Sequence, residues 1–143
     1  MTVTAILSRK GVEVAGIEPT ATLEAAAKVL AARRIGALVV LDEGGRLRGI
    51  LSERDIVRAI AERGVSVLAQ PVAQVMTPKV ETCARDEPVE SIMERMTGGK
   101  FRHMPVLDRG RLAGIVSIGD VVKDRLEAME REAEAMRDYI RTA

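Results

Sequence analysis

The chain has 143 residues, a formal net charge of +1 from 22 basic and 21 acidic side chains, and 47% hydrophobic residues. This is the size and balance of a globular domain, without the basic face that a phosphate-backbone binder needs. One Tyr, one Phe and no Trp leave little for base stacking, the single Cys83 excludes an internal disulfide, and no apolar run approaches the roughly 20 residues of a membrane span. The opening residues lack the charged-then-apolar pattern of a secretory leader, so a cytoplasmic location is expected.

In chain order, residues 3–7 form a short opening piece and residues 12–15 are predicted as an edge strand. Pro19 and Thr20 supply a stop and cap for a helix over 22–34, where Leu23, Ala26, Ala27, Leu30 and Ala31 fall at helical intervals. Strands over Ala37–Leu41 and 47–51 flank a Gly-bearing turn, and a helix over Glu53–Arg63 ends at Gly64. The same order then returns. Residues 72–76 correspond to 3–7, and residues 80–82 are predicted as another edge strand. Val89, Ile92, Met93 and Met96 mark a helix over 88–100, ended by Gly98 and Gly99. Strands follow over 103–107 and 112–116, with a helix from Ile118 onward.

The return is a true internal repeat. Residues 38–42 read LVVLD and 104–108 read MPVLD; 49–55 read GILSERD and 114–120 read GIVSIGD, one residue nearer. The fold class is therefore α/β (α+β), with two tandem units over about 3–64 and 72–125 and a helical extension over about 126–141. A small sheet with two helices on one face leaves its other face bare. Two units packed sheet to sheet, with pseudo-twofold symmetry, bury both.

The chemistry lies in Gly49, Ser52 and Asp55 and their copies Gly114, Ser117 and Asp120. Each Ser stands where a strand becomes a helix, and each Asp one turn in. A helix N-terminus presents free N–H groups and partial positive charge to a phosphate. The carboxylate can accept two hydrogen bonds from a ribose diol, and a strand glycine lets a flat base approach the backbone. One such Ser-x-x-Asp alone is better read as a helix cap. Two copies at the same place in a whole-unit repeat favour a ligand.

With these motifs, MTPKVET at 76–82 and FRHMPVLD at 101–108, the sequence resembles a CBS-domain pair (a Bateman module) over essentially all of residues 3–125. SERDIVRAI together with SIGDVVK is similar to the small bacterial proteins, and plant organellar relatives, that consist of one such pair. The resemblance implies two clefts between the units for an adenosine compound such as AMP, ADP, ATP, NAD or S-adenosylmethionine. By motif, Asp55 and Asp120 would hold ribose hydroxyls, Ser52 and Ser117 would sit near the ribose-phosphate, and Ile50 and Ile115 would flank the nucleoside. Arg102 and His103 would contact phosphate. Their first-unit counterparts Gly36 and Ala37 carry no charge, which makes the Asp120 cleft the better phosphate site, with Arg54 partly compensating at the other. Lys10 and Thr77 would line the clefts, and Ala15, Ile35, Phe101 and Gly119 complete the implied contact set.

His103 is the only histidine, and a lone histidine is as readily a packed residue as a contact. Cys83 is expected to be an inert thiol, and the methionines core filler. No metal-ligand or nucleophile pattern is present, so no catalysis is expected and the ligand is regulatory. Beyond the second unit, Val122, Leu126, Met129, Ala133, Met136 and Ile140 form a heptad seam, which favours a helix partner from a symmetric copy. The overall expectation is a nucleotide-sensing module, linked to energy or redox state, that forms a homodimer and acts in trans on a client protein. The alternative is a dimerising scaffold in which both Ser-x-x-Asp motifs only cap helices.

Overall fold

The computed structural model of the chain describes residues 1–142. Helix α1 spans Val3–Lys10, strand β1 Gly16–Ile17, α2 Leu23–Arg33, β2 Ala37–Leu41, β3 Leu47–Ser52 and α3 Glu53–Arg63. Two 3-10 turns, Val65–Ala69 and Val72–Gln74, lead to α4 at Val89–Gly99, β4 at His103–Asp108, β5 at Arg111–Ser117 and α5 at Ile118–Thr142. One sheet has the order β1-β2-β3, with β1 parallel to β2 and β2 antiparallel to β3; the other is the antiparallel pair β4-β5. Both hairpins slip register at one place, between Val40 and Leu41 and between Val106 and Leu107.

Neither predicted edge strand forms where the sequence suggested. Gly11, at φ +98°, turns the chain out of α1, and residues 12–15 cross to the sheet before pairing begins at Gly16. Residues 80–82 form no strand, and the chain touches β4 through one parallel bridge, Cys83 with Val106. Proline explains the difference. In the first unit the N–H of Val39 donates to Ala15 and extends the ladder. Its counterpart Pro105 has no N–H to give the second unit's edge segment.

Two helix ends are also corrected. The cap of α2 is Thr22, whose hydroxyl accepts from the N–H of Ala25, and not Pro19 or Thr20. Gly98 and Gly99 lie inside α4; the helix stops at Lys100 in the left-handed conformation (φ +57°), as α2 stops at Arg34 (φ +53°).

The burial is divided between two cores, and the opening segments are exchanged between them. Leu38, Val40 and Leu51 pack with Leu23, Leu30 and Ile56 of their own unit, but also with Val67 of the connecting 3-10 turn and Val72 at the start of the second unit. Met104, Val106 and Val116 pack with Val89, Ile92 and Val121, but also with Val3, Ile6 and Leu7 of α1. Backbone bonds repeat the exchange. Val3 donates to Glu87, Thr4 to Arg85, and Val89 to Met1; correspondingly, Val72 donates to Ala21, Ala73 to Pro19, and Leu23 to Gln70. The opposite faces of β2 and β4 are covered at their middles too: Val39 is fully buried, and Pro105 is buried between half-buried His103 and Leu107.

Candidate nucleotide site

The two motif glycines serve this exchange. A Cβ on Gly114 would lie 2.7 Å from a methyl of Leu7, and one on Gly49 would lie 2.7 Å from the carbonyl oxygen of Thr77 and 2.8 Å from the Met76 sulfur. The close neighbour at each glycine is thus the crossing opening segment, not the space for a base that the spacing suggested. Beside Gly49, Ile50 and Thr77 exchange both backbone bonds, at 3.0 and 2.9 Å.

Both Ser-x-x-Asp motifs fold into complete reciprocal caps. Ser52 N–H donates to Asp55 Oδ2 (2.9 Å) and Asp55 N–H to Ser52 Oγ (3.1 Å); Ser117 N–H donates to Asp120 Oδ2 (2.8 Å) and Asp120 N–H to Ser117 Oγ (3.2 Å). The first helical N–H is occupied as well, because Glu53 donates to the carbonyl of Gly36 and Ile118 to that of Arg102. These bonds pin the entry of β2 to the start of α3 and the entry of β4 to the start of α5. They leave the N–H groups of Arg54 and Gly119, in the first turn of each helix, directed outward without a helical acceptor.

The two ends then diverge. Lys10 Nζ reaches across from α1 and donates to Asp120 Oδ2 at 2.7 Å. Burial pushes the Asp120 carboxyl up, but the bonds from Lys10 and Ser117 outweigh it and hold the group below the usual carboxylate range. His103 is half-buried in the same place, its ring 3.4 Å from where a Cβ of Gly36 would stand, with a carboxylate oxygen of Glu53 also at 3.4 Å. Burial lowers its pKa, the positive charge of Lys10 lowers it further, and Asp120 and Glu53 oppose both. The balance lies below the ordinary imidazole value and favours the neutral ring. Exposed Arg102 adds a second positive charge.

At the other end Asp55 has its cap and exposed Arg54 beside it. Lys79, which occupies the place of Lys10, makes no ion pair among the described residues. Of the remaining expected contacts, Ala37 is buried in β2 and Ala15 is tied to Val39. Ile35 and Phe101 lean on the helical cores instead, Phe101 against Gly99. Ile115, opposite Pro105 in β5, is half-buried. Two surface hollows are present: one of about 390 Å³ between α2 and α3, whose lining includes the expected contacts Ile35 and Gly36 and also Glu53, and one of about 690 Å³ by the β4–β5 turn. Asp55 and Asp120 line neither.

Sequence reasoning missed Glu53 as a neighbour of His103. It also missed Arg9, which pairs with buried Asp124 at 2.9 Å and with Glu127, clamping α1 to α5. The signal available was the basic pair Arg9-Lys10 closing a helix whose other face is apolar. Cys83 behaves as expected: burial and, next, the Glu87 charge push its thiol up to about 11.

Comparison with known proteins settles what this duplicated architecture is. The profile of the CBS domain matches residues 4–62 and again 72–127. The chain belongs to the CBS-domain family. It is 48% identical to the CBS-domain protein ATU1752 from Agrobacterium tumefaciens, with a TM-score of 0.85, covering 87% of this chain and 92% of that one. It is 37% identical over 112 residues to a 17.7 kDa protein of Acidianus ambivalens, covering 78% of this chain and 66% of the relative. It spans 22% of a longer CBS-domain protein of Arabidopsis thaliana. Two solved relatives hold ligands: PAE2072 of Pyrobaculum aerophilum is complexed with AMP (29% identity, TM-score 0.74, 84% and 89% covered), and the CBS pair of MJ0100 with 5-methylthioadenosine and S-adenosyl-L-methionine (28%, 0.74, 91% and 98%). CBS pairs are in general regulatory modules that bind ligands without catalysis. No helix among the described residues is long and apolar enough to cross a membrane.

Proposed function

We propose that this CBS pair binds an adenosine-containing nucleotide between its two units, principally at Asp120, and that occupancy regulates a client protein in trans without catalysis. The observation that carries the reading is the unspent chemistry at that cap. Asp120 uses Oδ2 for Ser117 and Lys10, leaving Oδ1 for a ribose diol. Gly119 N–H, Lys10 and Arg102 supply positive potential for phosphate. The solved relatives that hold AMP, methylthioadenosine and S-adenosylmethionine share adenosine as their common element. ATP, ADP and NAD present the same element, and would tie the response to energy or redox state. In this reading the protein is cytoplasmic and works as a homodimer.

The test is calorimetric titration of AMP, ATP, NAD and S-adenosylmethionine, with GTP as control, into the intact chain and into Asp120→Asn and Asp55→Asn. Asparagine keeps an acceptor for the cap but gives up the charge. Saturable adenine-selective binding is expected, weakened at least tenfold by Asp120→Asn and less by Asp55→Asn. A second reading has its own support: both motifs are complete helix caps, as a pure scaffold requires. Absence of heat from every ligand, with folded and ligand-free protein, would establish that scaffold instead.

A further inference from the structure

Helix α5 outruns the unit it belongs to. From Met129 to the last described residue every side chain is exposed. Val122, Leu126, Met129, Met136 and Ile140 are 47% to 66% exposed, and with Ala133 they form one line at alternating spacings of four and three. Val121 and Asp124 are the positions of α5 buried against the body. At 3.6 residues per turn the apolar line lies roughly a third of a turn away from them, so its own chain does not cover it. A projecting helix of this length is marginal in water by itself.

The flanking charges identify the occupant. On one side of the line stand Lys123, Glu130 and Arg137; on the other stand Arg125, Glu132 and Tyr139. In a parallel, in-register pair, each residue of the second flank meets the residue five positions later on the first flank of the other helix. Arg125 then faces Glu130 and Glu132 faces Arg137, opposite signs throughout, twice by symmetry. Arg125 already donates to Glu90 of its own chain at 3.2 Å, so Glu132 with Arg137 is the deciding pair. An antiparallel pair of full overlap instead sets Glu130 on Glu130, Glu132 on Glu132 and Lys123 on Arg137. Sliding it a heptad toward the tips keeps only Glu130 with Arg137 and shortens the seam. Sliding it the other way pairs Lys123 with Glu130 and Arg125 with Glu132, but it leaves Met136 and Ile140 out of the seam and carries each tip past the start of the other α5 at Ile118.

We infer that α5 pairs with the α5 of a second copy as a parallel, in-register two-stranded coil that holds both bodies at the same end. This deepens the homodimer reading above and is independent of which ligand binds. Disulfide trapping tests it on the full chain, because buried Cys83 is the only native thiol. In a glutathione redox buffer Met136→Cys should become predominantly a covalent dimer, while Arg131→Cys, on the opposite side of the helix, should not. Equal trapping at both positions, or none at residue 136, overturns the arrangement. Sedimentation supplies the second measurement. Glu132→Lys should raise the dimer dissociation constant roughly tenfold, and Glu132→Lys with Arg137→Glu should restore it; an unchanged constant in the single variant also overturns it. Nucleotide titration of the same proteins separates the two readings. Lost trapping with retained binding defeats only the coil, and retained trapping without binding defeats only the ligand site.

Discussion

At the Asp120 end of the molecule the helix cap is tied to a lysine from the far side of the sequence, whereas at the Asp55 end the same cap stands without such a tie. The backbone bonds of the two ends match within 0.1 Å. What differs is the company each cap keeps. Around Asp120 stand Lys10 and His103, whose ring also lies against Gly36 and Glu53 at the first unit's helix start; α1 is further fixed by Arg9 on Asp124, a pair whose counterparts in the first unit are Pro78 and Ala59. A repeat thus preserves the scaffold of a site while its ionic surroundings are free to specialise.

The largest break in this comparison should come from Arg9. Asp124 is 2% exposed, and removing its partner strands a buried carboxylate. Arg9→Ala is expected to cost about 2–3 kcal/mol in denaturant unfolding, near the low end for a buried pair because Arg9 is itself partly exposed. Arg9→Ala with Asp124→Ala, which imitates the first unit, should recover most of that loss. If the double variant is no more stable than the single, the clamp is not what fixes α1.

The glycines sharpen the contrast on a smaller scale. At Gly49 an added methyl meets a backbone carbonyl, which cannot give way cheaply; at Gly114 it meets the flexible end of Leu7. Gly49→Ala should cost about 2–3 kcal/mol and Gly114→Ala about 1 kcal/mol. The reverse order would mean that the first unit's crossing segment is the looser of the two.

Smallest is the effect of pH. Both shifted groups at the Asp120 end have folded-state values below their unfolded ones. In each window the unfolded chain therefore binds more protons, and stability rises with pH. His103 contributes stability that is fully present above about 6.5 and is lost as pH falls through its lowered value; Asp120 does the same below about 3.8. His103→Gln should flatten the upper step in a stability–pH series and leave the lower one. Ala37, the counterpart of His103, gives the other end no such step.

Much of the fold was legible because alternation and helical spacing are local. Ala37–Leu41 and Glu53–Arg63 fall where the sequence puts them, as does the start of α5. The edge strands were misplaced for reasons outside their own patterns: Gly11, at φ +98°, swings residues 12–15 out before pairing begins at Gly16, and Pro105 has no N–H to extend a ladder to residues 80–82. The crossing of the opening segments was invisible for a related reason: Val3, Ile6 and Leu7 read as a core-facing stripe whichever unit they serve. In the candidate site the two caps could be read directly from Ser-x-x-Asp. Lys10 was reached only through family resemblance, and Glu53 was overlooked because an exposed first-turn glutamate is what any helix start would carry.

The exchanged opening segments bear on how such a protein could have arisen. A chain with one unit alone would carry a leading segment that closes some other unit's core, and a core waiting for some other chain's segment. Two such chains could complete each other only by mutual embrace, and joining them end to end would make that embrace internal. The reciprocal bonds between Val3 and Glu87 and between Val72 and Ala21 are the handshake expected of an ancestral dimer carried forward in a single polypeptide. A single half of this chain, as a monomer, would then leave its own core open and its leading segment without a core to close.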